Sequence, residues 1–95
     1  MFEWDERKRR VTIEKHKIDF LDAIEIFGGP VLVLAAKSEI EARKRVVAPL
    51  GEKVICVVFT IRGDAIRIIT ARVARRNERE AYQDLYPGTG PRPQG

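Results

Sequence analysis

The order of apolar and polar residues predicts a strand, two helices, four strands and a final helix along the chain. Residues 2–5 alternate as a short strand does, and Asp5 can cap a charged helix that ends near His16 and Lys17. A second helix begins at Asp19 and turns apolar side chains towards the core at helical spacing, namely Phe20, Leu21, Ile24 and Phe27. A glycine pair followed by proline then stops this helix.

The middle of the chain predicts four strands, over residues 31–35, 45–50, 54–61 and 65–73. The first of them shows no alternation, which indicates a strand that is covered on both faces. The segment Arg62-Gly63-Asp64 turns the third strand back onto the fourth, because glycine supplies the positive φ of a tight turn. Residues 37–45 are charged and predict a loop or a short helical turn.

Residues 76–86 predict a C-terminal helix, and residues 87–95, rich in proline and glycine, predict a disordered tail. The expected fold is α+β, with an antiparallel sheet of about four strands, a short N-terminal strand, two N-terminal helices and one C-terminal helix. We expect a single domain over residues 1–86. No apolar run approaches the ~20 residues of a membrane span, and the N-terminus lacks a signal-peptide core. We therefore expect a cytoplasmic protein without a membrane partner.

The net charge is +4, and 12 of the 18 basic residues are arginine. Arginine grips phosphate through a planar fork and stays charged at physiological pH. A basic domain of this kind indicates nucleic acid, an acidic protein or an anionic membrane as the partner. The 14 acidic residues also fit a simpler interpretation, in which the charges form a solvated surface.

Most enzyme motifs are absent from the sequence. It has no phosphate-binding glycine loop, no nucleophile elbow and no paired-histidine site, and one histidine with one cysteine cannot make a typical zinc site. We therefore expect no metal and no cofactor. Cys56 lies in an apolar run, which favours a buried, inert thiol over a catalytic pair with His16. Asp19 and Asp22 fit the start of a helix better than an acid/base pair.

Six arginines lie within 18 residues, namely Arg62, Arg67, Arg72, Arg75, Arg76 and Arg79. Strand alternation places Arg67 and Arg72 on opposite faces, unless a bulge rotates one of them or Arg72 lies at the strand end. Each arginine fits either a phosphate contact or an ordinary ion pair. Arg67 lies between Ile66 and Ile68, and a charge in the middle of a strand needs a reason.

His16 and Tyr82 each allow two interpretations. His16 at the end of a helix fits the negative end of the helix dipole, and it also fits proton transfer near neutral pH. Tyr82 lies one turn from Tyr86 on the last helix, with Arg75 and Arg79 on the same side. Its ring fits core packing or stacking on an RNA base.

Taken together, these residues resemble the BrnT toxin family over about residues 2–86. The N-terminal match comprises Phe2-Glu3-Trp4-Asp5, Lys8, Lys15-His16, Phe20, Ala23 and Phe27. The more specific match comprises Val57-Val58-Phe59-Thr60-Ile61-Arg62-Gly63-Asp64, Ile66-Arg67-Ile68-Ile69-Thr70-Ala71-Arg72, Ala74, Glu78 and Tyr82. The chain departs from the family where it has Thr12 for Asn, Lys17 for Gly, Gly29 for Asp and Arg75 for Thr.

The resemblance implies a RelE-like fold and a ribonuclease toxin that inhibits translation. It also implies a BrnA-like antitoxin, which binds promoter DNA together with the toxin. In RNA cleavage the 2′-hydroxyl is the nucleophile, and arginines stabilise the phosphorane without a metal. We assign candidate catalytic roles to Arg67, Arg72, His16 and Arg62, and candidate RNA contacts to Lys8, Lys15, Arg75, Arg79 and Tyr82. The alternative is a non-enzymatic basic module that binds nucleic acid or an acidic protein through the same face.

Overall fold

The structure is a computed structural model that describes residues 1–36 and 42–88. Its elements are β1 (Phe2–Trp4), α1 (Glu6–His16), α2 (Phe20–Ala23), a 3₁₀ helix (Ile24–Gly28), β2 (Leu32–Ala35), β3 (Arg43–Leu50), β4 (Lys53–Arg62), β5 (Ala65–Val73) and α3 (Arg76–Leu85). The predicted α+β class and the predicted order of strands and helices are confirmed. Residues 37–41 of the predicted loop and residues 89–95 of the predicted tail lie outside the described residues.

The strands form one mixed sheet in the order β1-β5-β4-β3-β2. Strands β2 to β5 pair antiparallel with their neighbours, as predicted. Strand β1 joins the same sheet and runs parallel to β5, with Glu3 opposite Arg67. The parallel direction of β1 is the detail in which the sheet differs from the predicted antiparallel sheet with a short N-terminal strand. Because no tight turn connects β1 to β5, nothing in the local sequence requires the antiparallel direction.

Helix α1 begins and ends as its sequence predicts. The Asp5 carboxylate accepts a hydrogen bond of 2.8 Å from the backbone N–H of Arg7, which satisfies one of the unpaired donors at the helix start. At the other end Lys17 adopts the left-handed conformation, with φ 59°, and its N–H donates to the carbonyl of Ile13 at 3.0 Å. Glycine usually holds this position because it has no Cβ to clash with the backbone.

The start of α2 is also tied to α1. The Asp19 carboxylate caps α2 by accepting a 2.9 Å hydrogen bond from the backbone N–H of Leu21. The same carboxylate accepts two hydrogen bonds from Arg9 of α1, at 2.8 Å from Nε and 2.9 Å from Nη2. This bidentate contact fixes the position of α1 relative to the elements that follow it.

The core contains an aromatic cluster between the sheet and the short helices. The ring of Phe27 lies 5.2 Å from that of Phe2 and 5.4 Å from that of Phe59. Phe20 is fully buried, as predicted for a core-facing position. Leu21 is 53% exposed, so its predicted core position is wrong. It follows Phe20 directly, and a helix turns each residue about 100° from the previous one.

Strand β2 lies at the edge of the sheet and has one exposed face, and this exposure corrects the prediction that both its faces are covered. It pairs with β3 alone in the described sheet, and Val33 is 50% exposed. Exposed and partly buried residues alternate along it. A run of apolar residues cannot distinguish a strand that is covered on both faces from an edge strand with apolar residues on its outer face.

Strand β5 contains one residue more than the stretch of β4 that it pairs with. Val58 pairs with Thr70, and the next residue of β4, Phe59, pairs with Ile68. Ile69 therefore falls between these two pairs, at the register shift that marks a bulge. An extra residue in one strand shifts the alternation of its side chains by one position.

The bulge places Arg67 and Arg72 on the same face of the sheet, one of the two solutions that the sequence left open. On β4, Thr60 lies between Arg67 of β5 and Arg43 of β3, its partners in the two neighbouring strands. Residues that lie directly opposite each other point to the same face, so Arg43 shares the face of Arg67. Arg45 shares it too, because it is two residues from Arg43. We call this surface, which includes Arg43, Arg45, Arg67 and Arg72, the arginine face.

Candidate functional site

A groove of about 520 Å³ lies between α1 and β5. It brings together Lys8, Lys15 and His16, which the sequence selected as candidate site residues. The remaining lining residues are Asp5, Arg7, Val11, Thr12, Ile69 and Thr70. The helical period explains this set, because residues spaced by three, four and seven positions fall on one face of α1. Lys8 and His16 are separated by about 12 Å along the helix axis, at a rise of 1.5 Å per residue.

The groove has a cationic lining. Arg7, Lys8 and Lys15 contribute positive charge, and Asp5 is the acidic residue that lines it. The Asp5 carboxylate already accepts the backbone N–H of Arg7, and this hydrogen bond holds the pKa of Asp5 below its ordinary value. The charge of Arg67 lowers the pKa of Asp5 further. Arg67 is not a lining residue, but it lies on β5 two residues from Ile69, which lines the groove. Such a lining attracts a polyanion.

Arg67 lies on the arginine face next to a carboxylate of β1. Its Nη1 donates to Oε2 of Glu3 at 2.7 Å, and the two side chains are 27% and 38% exposed. Glu3 and Arg67 are directly opposite each other on parallel strands. A guanidinium has five N–H donors, and this contact uses one of them. The ion pair explains how an arginine is held in mid-strand while most of its donor capacity remains.

Arg72 belongs to a different cluster, centred on Glu78 of α3. The Glu78 side chain is 1% exposed and accepts four hydrogen bonds. Arg72 donates from Nη1 at 2.7 Å and Nη2 at 2.9 Å, and Arg45 donates from Nη1 at 2.7 Å. The backbone N–H of Arg75 supplies the fourth, at 2.8 Å. A buried carboxylate needs partners of this kind, so the cluster attaches α3 to the sheet.

The electrostatics of this cluster follow from its hydrogen bonds. The contacts with Arg72, the backbone N–H of Arg75 and Arg45 lower the pKa of Glu78 to about 2. The Glu78 carboxylate in turn raises the pKa of Arg72. Cys56 lies close to both and is fully buried, and burial raises the pKa of its thiol to about 11. A thiol with this pKa stays protonated at neutral pH, which supports the inert role predicted for it.

The other predicted arginines lie outside the lining of the groove. Arg62 is exposed at the end of β4, where the hairpin turns. Arg75 is exposed just before α3, and Arg79 is exposed on α3 with Nη1 donating to the carbonyl of Ala74 at 2.8 Å. The structure therefore separates the candidate residues into the groove, the Glu78 cluster and exposed positions near the hairpin and α3.

Tyr82 does not lie on the surface. Its side chain is 1% exposed, and its hydroxyl donates to the carbonyl of Pro30 at 3.0 Å. Its ring packs 5.0 Å from that of Tyr86. An RNA base cannot stack on a ring that is buried in the core. The RNA-binding role predicted for Tyr82 is therefore corrected to core packing.

The described residues contain neither a metal-binding cluster nor a helix that could span a membrane. Within residues 1–36 and 42–88, no three His, Cys, Asp or Glu side chains are grouped so that they could hold a metal ion. Among the helices of the same residues, none has the length and apolar composition that crossing a lipid bilayer requires.

The family of the chain follows from its sequence and its fold together. The model of the family described as "Ribonuclease toxin, BrnT, of type II toxin-antitoxin system" matches residues 4–78. The chain belongs to the BrnT family. The 1.1 Å crystal structure of the Brucella abortus ribonuclease toxin BrnT is similar, with a TM-score of 0.65 and 31% sequence identity, over 80% of this chain and 99% of that one. A comparison with curated proteins gave no match.

The BrnT match includes the groove residues, Arg67, and the cluster from Arg45 to Glu78. It begins just after Glu3 and ends before Tyr82. The family resemblance stated from the sequence is thereby confirmed. The roles of individual residues remain predictions, because neither comparison assigns them.

Three residues that this BrnT-family structure brings to the arginine face were not predicted as site residues, namely Arg43, Arg45 and Glu3. The sequence predicts a strand that begins at Arg45, whereas β3 begins at Arg43. Arg43 and Arg45 two positions apart would have indicated a charged strand face. Glu3 gave no local signal, because its contact with Arg67 joins residues 64 positions apart.

Proposed function

We propose that this BrnT-family protein is a metal-independent endoribonuclease toxin that cleaves RNA through the 2′-hydroxyl of its substrate and thereby inhibits translation. The observation that carries the proposal is the groove, in which Lys8, Lys15 and His16 line one wall. Arg67 lies on β5 two residues from Ile69, which lines the groove as well. An RNA strand supplies its own nucleophile. The enzyme therefore needs to bind phosphates, stabilise the phosphorane and move protons, and these side chains provide all three functions.

Each groove residue has a role in this proposal. Lys8 and Lys15 bind RNA phosphates, and Arg67 stabilises the charge that develops on the reacting phosphate. His16 acts in proton transfer at its own end of the groove. Arg62, Arg75 and Arg79 contact phosphates further along the strand, since all three are exposed.

Arg72 acts differently from the other candidate arginines. It adds positive charge to the arginine face, but its hydrogen bonds to Glu78 give it a structural role as well. The Arg72 side chain is 21% exposed, and Glu78 fixes its orientation. Its guanidinium can therefore contribute to RNA binding only in that fixed orientation.

The proposal includes a protein partner. A BrnA-like antitoxin, with an acidic or amphipathic segment that covers the cationic groove, neutralises the toxin in the cytoplasm. Promoter DNA is bound through the complex of toxin and antitoxin, not by the toxin alone. Type II membership supports an antitoxin partner, and the charge of the groove supports an acidic segment.

Inducible expression in bacteria tests the proposal. We expect growth arrest when the protein is expressed alone, and growth when the neighbouring open reading frame is expressed with it. The purified protein should cut RNA into fragments that end in a 2′,3′-cyclic phosphate. Binding of RNA without any cleavage would replace this proposal with the non-enzymatic basic module.

A further inference from the structure

We propose that Glu3 is the general base that removes the proton from the 2′-hydroxyl of the RNA, beside Arg67 as the charge stabiliser. This inference rests on the proposed ribonuclease function and identifies one of its catalytic groups. The assignment comes from the contact between Glu3 and Arg67 in this structure.

The geometry of the reaction explains why these two residues belong together. The 2′-oxygen forms a bond to the same phosphorus whose outer oxygens the arginine contacts, so base and arginine must both reach one nucleotide. A general base works within about 2.6–3.2 Å of the oxygen that loses the proton. A charge stabiliser lies at a similar distance from the phosphate oxygen that gains charge. Glu3 Oε2 and Arg67 Nη1 are 2.7 Å apart, on two paired strands. Both side chains are partly exposed, so a substrate can reach them.

Two other acidic side chains of the described residues, those of Asp5 in the groove and Glu78 at the arginine face, are already engaged. The Asp5 carboxylate caps α1 by accepting the backbone N–H of Arg7. Glu78 is 1% exposed and accepts four hydrogen bonds, so it cannot reach a substrate. His16 lies about 12 Å along α1 from Lys8, towards the end of the helix away from Asp5. Of these groups, Glu3 alone combines a carboxylate, partial exposure and contact with Arg67.

Cleavage moves two protons and exchanges one bond to phosphorus for another. The Glu3 carboxylate takes the proton of the 2′-hydroxyl, and the oxygen's electron pair forms the new bond to phosphorus. The bond from phosphorus to the 5′-oxygen breaks with its electron pair on that oxygen, which takes a proton from water. The products are a 2′,3′-cyclic phosphate and a 5′-hydroxyl. The hydroxide that this water leaves takes the proton from Glu3, which returns Glu3 to the carboxylate.

The variants Glu3→Gln and Glu3→Ala test this assignment in the full chain, with cleavage of a short RNA oligonucleotide as the assay. Removing a general base should lower kcat by about 10²- to 10⁴-fold, with little change in KM. The acidic limb of the pH–rate profile, which reports protonation of the base, should disappear in Glu3→Gln. Added formate should restore part of the activity of Glu3→Ala, because it supplies the missing carboxylate.

The control is Glu6→Gln, since Glu6 is also an exposed glutamate paired with an arginine, Arg9. It should keep normal kcat and the acidic limb. If wild type cleaves RNA and Glu3→Gln keeps that limb with normal kcat, or loses activity through KM alone, Glu3 is not the base, and the ribonuclease function stands without it. If folded wild type does not cleave RNA at all, both this inference and the proposed function fail.

Discussion

Replacing Glu78 by glutamine should destabilise the protein strongly at neutral pH and hardly at all near pH 2. Glutamine keeps the shape of the side chain but removes the negative charge with which Arg72 and Arg45 both form ion pairs. Its amide group would also direct N–H donors towards guanidinium donors. Because the side chain at position 78 is 1% exposed, water cannot replace the hydrogen bonds that the substitution removes.

The magnitude follows from the pKa of Glu78, which falls from the ordinary 4.5 to about 2 in the folded protein. Because the folded form binds this proton more weakly, the carboxylate stabilises the fold above pH 4.5. The contribution is lost as the pH falls towards 2. At about 1.4 kcal/mol for each tenfold change in proton affinity, the full effect is about 3 kcal/mol. That loss should lower the melting temperature by roughly 10–25 °C in a domain of this size.

Urea denaturation of wild type and Glu78→Gln between pH 7 and pH 2 measures this directly. The difference in the free energy of unfolding should be about 3 kcal/mol at pH 7 and close to zero at pH 2. Other carboxyls with lowered pKa, such as Asp19, titrate in both proteins and cancel in the difference. The control Glu80→Gln, which breaks an exposed ion pair with Arg76, should cost less than about 0.5 kcal/mol. A Glu78→Gln deficit that stays constant across this pH range would refute the reasoning.

Three other variants or conditions test separate parts of the structure. Arg67→Ala should lower kcat by about 10²- to 10³-fold with a small change in KM, in steady-state RNA cleavage, whereas Arg76→Ala at 86% exposure should leave both constants unchanged. Lys17→Gly should raise the free energy of unfolding by about 0.5–1 kcal/mol in urea titrations, because Lys17 holds φ 59°; an unchanged or lower value would contradict this. RNA cleavage should persist in excess EDTA, and activity that disappears and returns with magnesium or manganese would reject the metal-free mechanism.

The features that the sequence predicted well are those set by neighbouring residues. Asp5 and Asp19 were identified as helix caps, and each accepts a backbone N–H two residues ahead. The hairpin between β4 and β5 was placed at Gly63, which has φ 59° as a tight turn requires. A cap or a turn depends on a few adjacent residues, so its signal survives without knowledge of the rest of the fold.

The contacts that organise the candidate site join distant parts of the chain. Glu3 meets Arg67 only because β1 lies parallel to β5, and Arg45 meets Glu78 only because α3 packs on the arginine face. Alternation and composition carry no information about such pairings. The burial of Glu78 was unforeseen for the same reason, since a glutamate near the start of a helix normally faces solvent. In the sequence, Glu78 was singled out only as one of the residues that resemble the BrnT family.

The bulge at Ile69 shows how a local rule can still constrain a distant arrangement. Arg67 and Arg72 are five residues apart, so a regular strand cannot place both on one face. If both arginines are to share a face, the strand must contain an extra residue between them. The register shift lies there. The same residue, Ile69, lines the groove, where bulges are used to re-aim side chains next to functional sites. Without the extra residue, Arg67 would keep its neighbours in sequence but lose the face that brings it to Glu3 and the groove.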